Sequence, residues 1–229
     1  MSYTLFIGDK LFSSWSLRGW LMFREFGLPF ESRMVGLYSD TMKEDMAEVS
    51  PARLVPAIRT PQGDIVGESL AIAETLAERH PEKTMWPENP ALRARARWLC
   101  AEMVGSFAAL RSDCPMQLAH VNMGFDPSAA VRSDIARIEE IWTAARSVSG
   151  ANDGWLMGNL SLADIFYAPV AARIVGYNLP VSDQARRYCE RWIANPHFKE
   201  WRKAGLQKSY DPFPYPTYEP LADWPNGRS

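Results

Sequence analysis

The sequence predicts an α/β domain followed by an all-helical domain. Short apolar strand patterns alternate with amphipathic helix patterns over roughly the first eighty residues. The composition then shifts to proline, glutamate and asparagine between Pro81 and Pro90, which is typical of a linker. After this linker, the periodic stretches have the spacing of helices. We therefore expect one domain at 1–81 and a helical domain at 90–209.

The elements of the first domain follow from local patterns. Strands are expected at 3–7, 30–35, 56–59 and 64–66, and helices at 15–26, 41–47 and 69–79. The turn Pro61-Gln-Gly-Asp64 joins the last two strands, because its residues favour the backbone conformations of a tight turn. The order β-α-β, then α, then β-β-α predicts one layer of sheet with helices packed on it.

The second domain is predicted from helical periodicity. Helices are expected at 90–112, 128–148, 161–176, 182–194 and 196–204. Ser161 and Asp164 have the spacing of a capping box, which predicts the start of a buried helix without a chemical role. Residues 210–229 combine prolines with aromatic residues, and we expect this tail to run extended over the surface. Its function is left open.

Composition and charge restrict the class of protein. The 229 residues are 47% hydrophobic, and the net charge is −2, so we expect a soluble protein without a nucleic-acid partner. The N-terminus has no signal-peptide pattern, and no run approaches the roughly 18 apolar residues of a membrane span. Cys100, Cys114 and Cys189 are odd in number and widely spaced, which favours the cytoplasm over a disulfide framework.

Metal and nucleotide sites are not predicted. His80, His120 and His197 lie far apart and lack the spacing of metal ligands. The sequence also has no glycine-rich dinucleotide fingerprint and no phosphate-binding loop. We therefore expect neither a metal nor a nucleotide cofactor.

Three segments carry the functional signal. The run Ser13-Ser14-Trp15-Ser16-Leu17-Arg18 lies between a strand and a helix, where hydroxyls cap the first turn and the positive helix end stabilises an anion. Val55-Pro56 precedes a strand, and a bond before proline can be cis. Glu68-Ser69 opens the helix at 69–79, with Ser69 expected as its N-cap.

Together these segments resemble the glutathione-binding half of a cytosolic glutathione S-transferase. The Ser-Ser-x-Ser-x-Arg pattern is similar to that of the zeta class and its bacterial relatives. The resemblance implies a thioredoxin-like first domain, glutathione as co-substrate, and a homodimer. One departure is Trp15, which stands where zeta proteins usually carry cysteine. No second thiol is then present to compensate, so the activating hydroxyl is expected to be indispensable.

The resemblance also assigns roles to single residues. It implies that Ser13 activates the glutathione thiol, with Ser14 as the alternative. Residues implied to bind glutathione are Ser14, Trp15, Lys43, Val55, Pro56, Glu68 and Ser69. A helix start with a hydroxyl suits the γ-glutamyl carboxylate, an adjacent Glu suits its ammonium, and Lys43 can meet the glycyl carboxylate. Candidates for the electrophile site are Phe12, Trp15, Arg18, Met116 and Arg173.

The expected function is a glutathione transferase acting on a small hydrophobic or dicarboxylate electrophile. One alternative is an isomerase similar to maleylacetoacetate isomerase, in which Arg18 or Arg173 holds a dicarboxylate. Another is a non-catalytic module that binds partners. A serine hydrolase built on Ser69, Asp164 and His197 is also conceivable, because 67–71 nearly matches a nucleophile elbow. Too few strands precede Ser69 for the usual hydrolase sheet, which disfavours this reading.

Overall fold

The computed structural model describes residues 2–207 and 215–225. Its N-terminal elements are β1 (Tyr3–Ile7), α1 (Ser14–Glu25), β2 (Phe30–Met34), α2 (Met42–Ala47), β3 (Ala57–Arg59), β4 (Ile65–Gly67) and α3 (Ser69–Arg79). Each begins and ends close to its predicted range. The alternation of short strands and helices in the sequence is therefore the alternation of the structure.

These strands form one mixed sheet in the order β2-β1-β3-β4. Strand β1 pairs parallel with β2, with Tyr3 opposite Phe30, and antiparallel with β3, with Leu5 opposite Ile58. The parallel pair is joined through α1, as a parallel connection requires a crossover. Leu5 and Ile58 are fully buried and form the sheet's part of the core. The sheet and its helices confirm the thioredoxin-like fold.

The helical part is built around one buried helix. Its elements are α4 (Pro90–Gly105), α5 (Ala108–Asp113), β5 (His120–Asn122), α6 (Ala129–Ser149), α7 (Leu162–Gly176), α8 (Asp183–Ala194), α9 (Pro196–Gln207) and β6 (Leu221–Asp223). Every residue of α7 is buried, as expected for a helix that is apolar on all sides. Helix α7 packs against α1, α4 and α8, so it joins the two parts of the molecule.

The single helix predicted at 90–112 is wrong, because the structure divides it into α4 and α5. Helix α4 ends at Gly105, and Phe107 has a positive φ of 61° with its side chain buried. Glycine and serine at 105–106 have low helix propensity, so the helix ends there. The apolar spacing continues on both sides of the break, and periodicity alone therefore does not show it.

The expectation of helices alone after the linker is also corrected. Strands β5 and β6 pair antiparallel, with His120 opposite Asp223 and Val121 opposite Ala222. Each strand has three residues, which is too short for an alternation pattern to be visible. Within the tail predicted at 210–229, residues 210–214 and 226–229 lie outside the described residues. The described part is exposed along β6 but then buries the side chain of Trp224.

All three cysteines are buried and free of disulfides. Burial is the main effect on their thiols, and it raises the pKa of Cys114 and of Cys189 to about 12 and that of Cys100 well above its ordinary value. Since the thiolate is the reactive form of cysteine, none of the three is suited to act as a nucleophile. In the described ranges 2–207 and 215–225, no helix is both long enough and apolar enough to cross a bilayer.

Candidate active site

The hydroxyl of Ser13 is used within the start of α1. Ser13 is the N-cap, and its Oγ accepts a hydrogen bond from the backbone N–H of Ser16 at 3.3 Å. The Ser13 O–H donates to Oγ of Ser16 at 2.7 Å. Oγ of Ser16 also accepts from the backbone N–H of Gly8 at 2.9 Å, which ties the helix to the end of β1. The hydrogen of Ser13 is therefore already donated inside the protein.

Ser14 has a different hydrogen-bond environment. Its Oγ accepts from Nη2 of Arg173 at 3.3 Å, across the contact between α1 and α7. Among the residues that the structure describes, no acceptor faces the Ser14 O–H. A hydroxyl that accepts from a cation becomes a stronger donor, because neighbouring hydrogen bonds polarise one another. Ser14 can therefore donate a hydrogen bond to a ligand in the adjoining cavity.

Arg173 is held rigidly in its position. Its Nε donates to the carbonyl of Cys114 at 2.9 Å, and Nη1 donates to the carbonyl of Pro169 at 3.3 Å. The residue is buried, and burial is the main effect that lowers the pKa of its guanidinium to about 10. Arg173 thus remains charged at neutral pH, and its cation lies beside Ser14.

A cavity of about 620 Å³ lies between the thioredoxin-like layer and the helices. Its lining comprises Asp9, Phe12, Ser13, Ser14, Trp15, Leu37, Tyr38, Met42, Leu54, Val55, Ala108, Arg111, Ser112, Pro115, Met116, Arg173 and Tyr215. The structure thus brings together most of the candidates for the thiol and electrophile sites. Sequence reasoning missed Arg111 and Tyr215, since neither belongs to a motif.

Arg18 does not line this cavity. It is buried, and its Nε donates to the carbonyl of Phe166 in α7 at 2.9 Å. Its guanidinium stacks on the ring of Trp15, 4.3 Å from the ring centroid. Burial lowers the pKa of Arg18 well below its ordinary value. These contacts give Arg18 a structural part in joining α1 to α7.

Val55 and Pro56 lie where the sheet meets α1. The Val55–Pro56 bond is cis, and Val55 lines the cavity. Pro56 is buried against Gly19 of α1, and a Cβ built on Gly19 would lie only 2.7 Å from Cβ of Pro56. The helix and the proline segment can approach this closely because position 19 has no side chain.

Glu68 and Ser69 lie beside the cavity rather than in it. Glu68 is exposed and lines a neighbouring hollow of about 360 Å³, which shares Leu54 with the cavity. The N-cap of α3 is Glu68, so the prediction of Ser69 as N-cap is wrong. Glu68 itself makes the bend, with a positive φ of 61°, and Ser69 is already helical. Non-glycine residues rarely adopt such a φ, and those that do are concentrated at ligand sites.

Lys43 also lies beside the cavity rather than in it. It is exposed and lines a hollow of about 670 Å³, which shares Met42 with the cavity. Arg53 lines both this hollow and the one beside Glu68. The three hollows therefore form a continuous surface that passes the start of α1.

Comparison with known proteins gives a consistent result. Residues 12–79 match the family model described as glutathione S-transferase, N-terminal domain. A maleylacetoacetate isomerase from Pseudomonas aeruginosa is 28% identical over 180 residues, covering 76% of this chain and 84% of the relative. A probable maleylacetoacetate isomerase from Caenorhabditis elegans is 27% identical over 171 residues, covering 74% and 77%.

The solved structures agree with these relatives. A glutathione transferase homolog from Burkholderia, crystallised with bound glutathione, has a TM-score of 0.67 and 27% identity, covering 91% of this chain and 100% of its own. Residues 12–79 belong to the N-terminal domain of the glutathione S-transferase family, and the chain shares the fold of this transferase homolog. Its isomerase relatives agree with the zeta-like resemblance of the motif at 13–18.

Two arginines give the transferase-family cavity a positive character. Arg111 and Arg173 both line it, and neither forms an ion pair with a carboxylate within the described residues. Arg111 lies over the ring of Trp15, 5.0 Å from its centroid. Asp9 is the one acidic residue among the described lining, and its Oδ1 accepts from the backbone N–H groups of Leu11 and Phe12. A bound anion is therefore favoured.

The start of α7 has a structural role. Oδ2 of Asp164 accepts from the backbone N–H of Ser161 at 3.0 Å and from its hydroxyl at 3.1 Å. Oδ1 accepts from the backbone N–H of Leu156 at 2.9 Å and from the hydroxyl of Tyr188 at 3.3 Å. Burial raises the pKa of Asp164 to about 6, and these four donors act in the opposite direction. The carboxylate has no contact left for a substrate.

The serine-hydrolase alternative finds no support in these contacts. Ser69 lies at the start of α3, and its hydroxyl has no hydrogen-bond partner in the described part of the chain. Asp164 is saturated by its own donors, and His197 lies beside Glu25 at 3.1 Å. None of the three residues contacts another. Among residues 2–207 and 215–225, no group of acidic, histidine and cysteine side chains is arranged to hold a metal.

Proposed function

We propose that this protein binds glutathione and activates its thiol for attack on a small electrophile. The observation that carries the proposal is the Ser14 hydroxyl, which accepts from Arg173 and has its own hydrogen available at the cavity. A thiol with a pKa of about 8.5 is mostly protonated at neutral pH, and only the thiolate attacks. A hydrogen bond from Ser14 and the positive end of α1 both stabilise the thiolate. The thiol proton leaves to solvent, and the sulfur then bonds to the electrophilic carbon. That carbon either releases a leaving group, such as the chloride of a chloronitrobenzene, or gives up the π bond of a conjugated system, whose electron pair takes up a proton from solvent.

The geometry supports Ser14 over Ser13 as the activating hydroxyl. The resemblance implies Ser13, but that hydroxyl caps α1 and donates to Ser16 at 2.7 Å. Donating to a sulfur would require Ser13 to abandon this internal bond. Ser14 requires no such exchange. We therefore assign thiol activation to Ser14 and helix capping to Ser13.

Glutathione would extend from Ser14 along this continuous surface. The γ-glutamyl end lies toward Glu68 and Ser69, where an exposed carboxylate and a helix start meet the ammonium and carboxylate. The backbone of Val55 flanks the cysteinyl part, and Lys43 lies toward the glycyl carboxylate. The cis bond at Pro56 belongs to the same segment.

Glu68→Ala tests the placement of the γ-glutamyl end. Losing a charge-assisted hydrogen bond is expected to weaken glutathione binding by roughly 1.5–3 kcal/mol, because the ammonium loses its partner. Calorimetric titration measures the affinity, and Glu88→Ala is the control because Glu88 is an exposed acid outside the cavity. Native affinity in Glu68→Ala would place the γ-glutamyl end elsewhere.

A second candidate function is glutathione-dependent isomerisation of a dicarboxylate. Arg111 and Arg173 favour it, since neither guanidinium pairs with a carboxylate of residues 2–207 or 215–225, and the two can hold the charges of such a substrate. The sulfur would add to a conjugated double bond, the carbon–carbon bond would rotate, and the sulfur would leave, so glutathione is not consumed. Turnover of a maleyl dicarboxylate with unchanged glutathione would favour isomerisation over conjugation to a chloronitrobenzene.

The proposed function is tested by ultraviolet titration of bound glutathione together with an electrophile panel. We expect the bound thiol to have a pKa below its free value and at least one electrophile to be turned over. A bound thiol with an unperturbed pKa overturns the activation. Tight binding without any turnover would instead favour the non-catalytic module.

We also propose that the protein is a cytoplasmic homodimer. Its three cysteines are free and buried, as expected for a reducing compartment. Trp98 of α4 is a large apolar residue that is 47% exposed, which leaves apolar surface for a second copy to cover. Sedimentation that gives only the 25.9 kDa monomer at micromolar concentrations would contradict the dimer.

A further inference from the structure

The C-terminal segment, residues 215–225, is held against the helical domain by contacts with residues of β5 and just after it, and with the end of α7. The backbone N–H of Tyr218 donates to Oδ1 of Asn122 at 3.0 Å, and that of Gly124 donates to the carbonyl of Tyr218 at 3.2 Å. The ring of Tyr218 packs edge-on against Phe125, with 4.9 Å between centroids. Beyond β6, Trp224 is 5% exposed and contacts Gly176 at the end of α7. These contacts hold in place the part of the chain that carries Tyr215.

The start of this segment reaches the cavity. Tyr215 is half-buried, and its ring centroid lies 5.7 Å from that of Phe12. It lines the cavity together with Met116 and Arg173. Burial is the main effect on the pKa of Arg173, and the phenol of Tyr215 acts on it in the opposite sense. The phenol therefore lies within electrostatic reach of the guanidinium.

We propose that Tyr215 is a specificity-determining residue that contacts the electrophile. This inference rests on the proposed function. Glutathione would occupy the side of the cavity formed by Val55 and Leu54, which leaves the side of Phe12, Met116 and Tyr215 for the acceptor. The ring of Tyr215 offers an apolar face to a planar conjugated carbon skeleton. Arg111 and Arg173 offer cations to a carboxylate on the same molecule.

The fastened segment determines where this ring stands. Strand β6 and Trp224 hold the chain on β5 and α7, and α7 also supplies Arg173. Helix α7 therefore helps to position both the ring of Tyr215 and the guanidinium of Arg173 on the acceptor side of the cavity. The role of the tail, which the sequence leaves open, is then to form this wall.

Tyr215→Ala separates the acceptor side from the glutathione side. We expect the KM for the electrophile to rise about tenfold or more, as for the loss of one apolar pocket contact. The KM for glutathione and the pKa of its bound thiol should not change, because Ser14 and Glu68 are untouched. Tyr215→Phe should keep the electrophile KM near the wild-type value, since it retains the ring.

Trp224→Ala tests whether the contacts of residues 215–225 with the helical domain position Tyr215. Trp224 does not line the cavity, so the variant removes no cavity side chain but loosens the segment that positions Tyr215. It should raise the electrophile KM in the same direction as Tyr215→Ala. Far-ultraviolet circular dichroism checks that both variants are folded. An unchanged electrophile KM in folded Tyr215→Ala overturns the inference, as does an equal loss toward both substrates. If the wild type turns over no electrophile at all, the proposed function fails instead.

Discussion

The starts of α1 and α7 both have a serine as N-cap, but their polar side chains are used differently. Both begin after a serine, and the two helices pack against each other. At α7, Asp164 receives four hydrogen bonds and is fully buried. At α1, Ser13 is satisfied internally, but the hydrogen of Ser14 has no acceptor among the described residues. The difference shows that a helix start can bind a ligand when one of its hydroxyl donors faces a cavity and is not used within the protein.

The two helix starts are also physically connected. Asp164 lies in the first turn of α7 and Arg173 in the last. The saturated end holds the helix in the core, and the other end places a cation beside Ser14. The hydrogen bonds of Asp164 at the start of α7 therefore help to position Arg173 beside Ser14 at the start of α1.

The largest effect is expected from Asp164→Ala, which removes the acceptors of four donors. Leaving buried donors unsatisfied costs about 1–3 kcal/mol each, so the free energy of unfolding should fall by at least about 3 kcal/mol. Chemical denaturation measures this change. Ser182→Ala is the control, because the Ser182 side chain makes a simple N-cap contact at α8 whose loss should cost only about 1 kcal/mol. Equal losses in the two variants would remove the distinction between the buried network and a simple cap.

The next effect is expected from Ser14→Ala, which removes the available donor. The pKa of bound glutathione should rise by about one unit, which corresponds to about 1.4 kcal/mol less stabilisation of the thiolate. Turnover at neutral pH should fall, and its pH profile should shift to higher pH, because a smaller fraction of the thiol is ionised. An unchanged thiol pKa in Ser14→Ala would show that the helix end rather than this hydroxyl activates the thiol.

The smallest effect is expected from Ser13→Ala, which removes the cap of α1. The free energy of unfolding should fall by about 1 kcal/mol, as for a typical N-cap serine. The pKa of the bound thiol should stay near the wild-type value, since Ser13 donates to Ser16 rather than to the cavity. A larger rise in thiol pKa for Ser13→Ala than for Ser14→Ala would reverse the assignment and restore the role implied by resemblance.

The sequence predicts what depends on neighbouring residues. The strands and helices of the first domain, and the capping box at Ser161 and Asp164, follow from local patterns and match the structure. The sequence indicates Ser14 and Arg173 as separate candidates, but their contact joins residues 159 positions apart. Arg111 and Tyr215 reach the cavity only through tertiary folding. The pairing of β5 with β6 is likewise non-local, and no periodicity of a three-residue strand reveals it.

Arg18 illustrates the same limit from the other side. Its place in the motif suggests a role in holding a substrate, and its chemistry would allow it. Whether an arginine faces a cavity or the core depends on what packs over it, and here Phe166 of α7 and the ring of Trp15 do so. A motif identifies the residue, but the packing of a distant helix decides its environment.

The close approach of Gly19 to Pro56 sets the width of the binding cleft. Alanine would be favoured over glycine at an exposed position inside a helix by about 1 kcal/mol, yet a single methyl group here would collide with the proline ring. The distance between the Ser14 hydroxyl at the start of α1 and Val55, where we propose that glutathione binds, therefore depends on the absence of a side chain at position 19. Glycine reduces the stability of α1 at this one position, and in return the helix and the Val55–Pro56 segment can pack closely against each other.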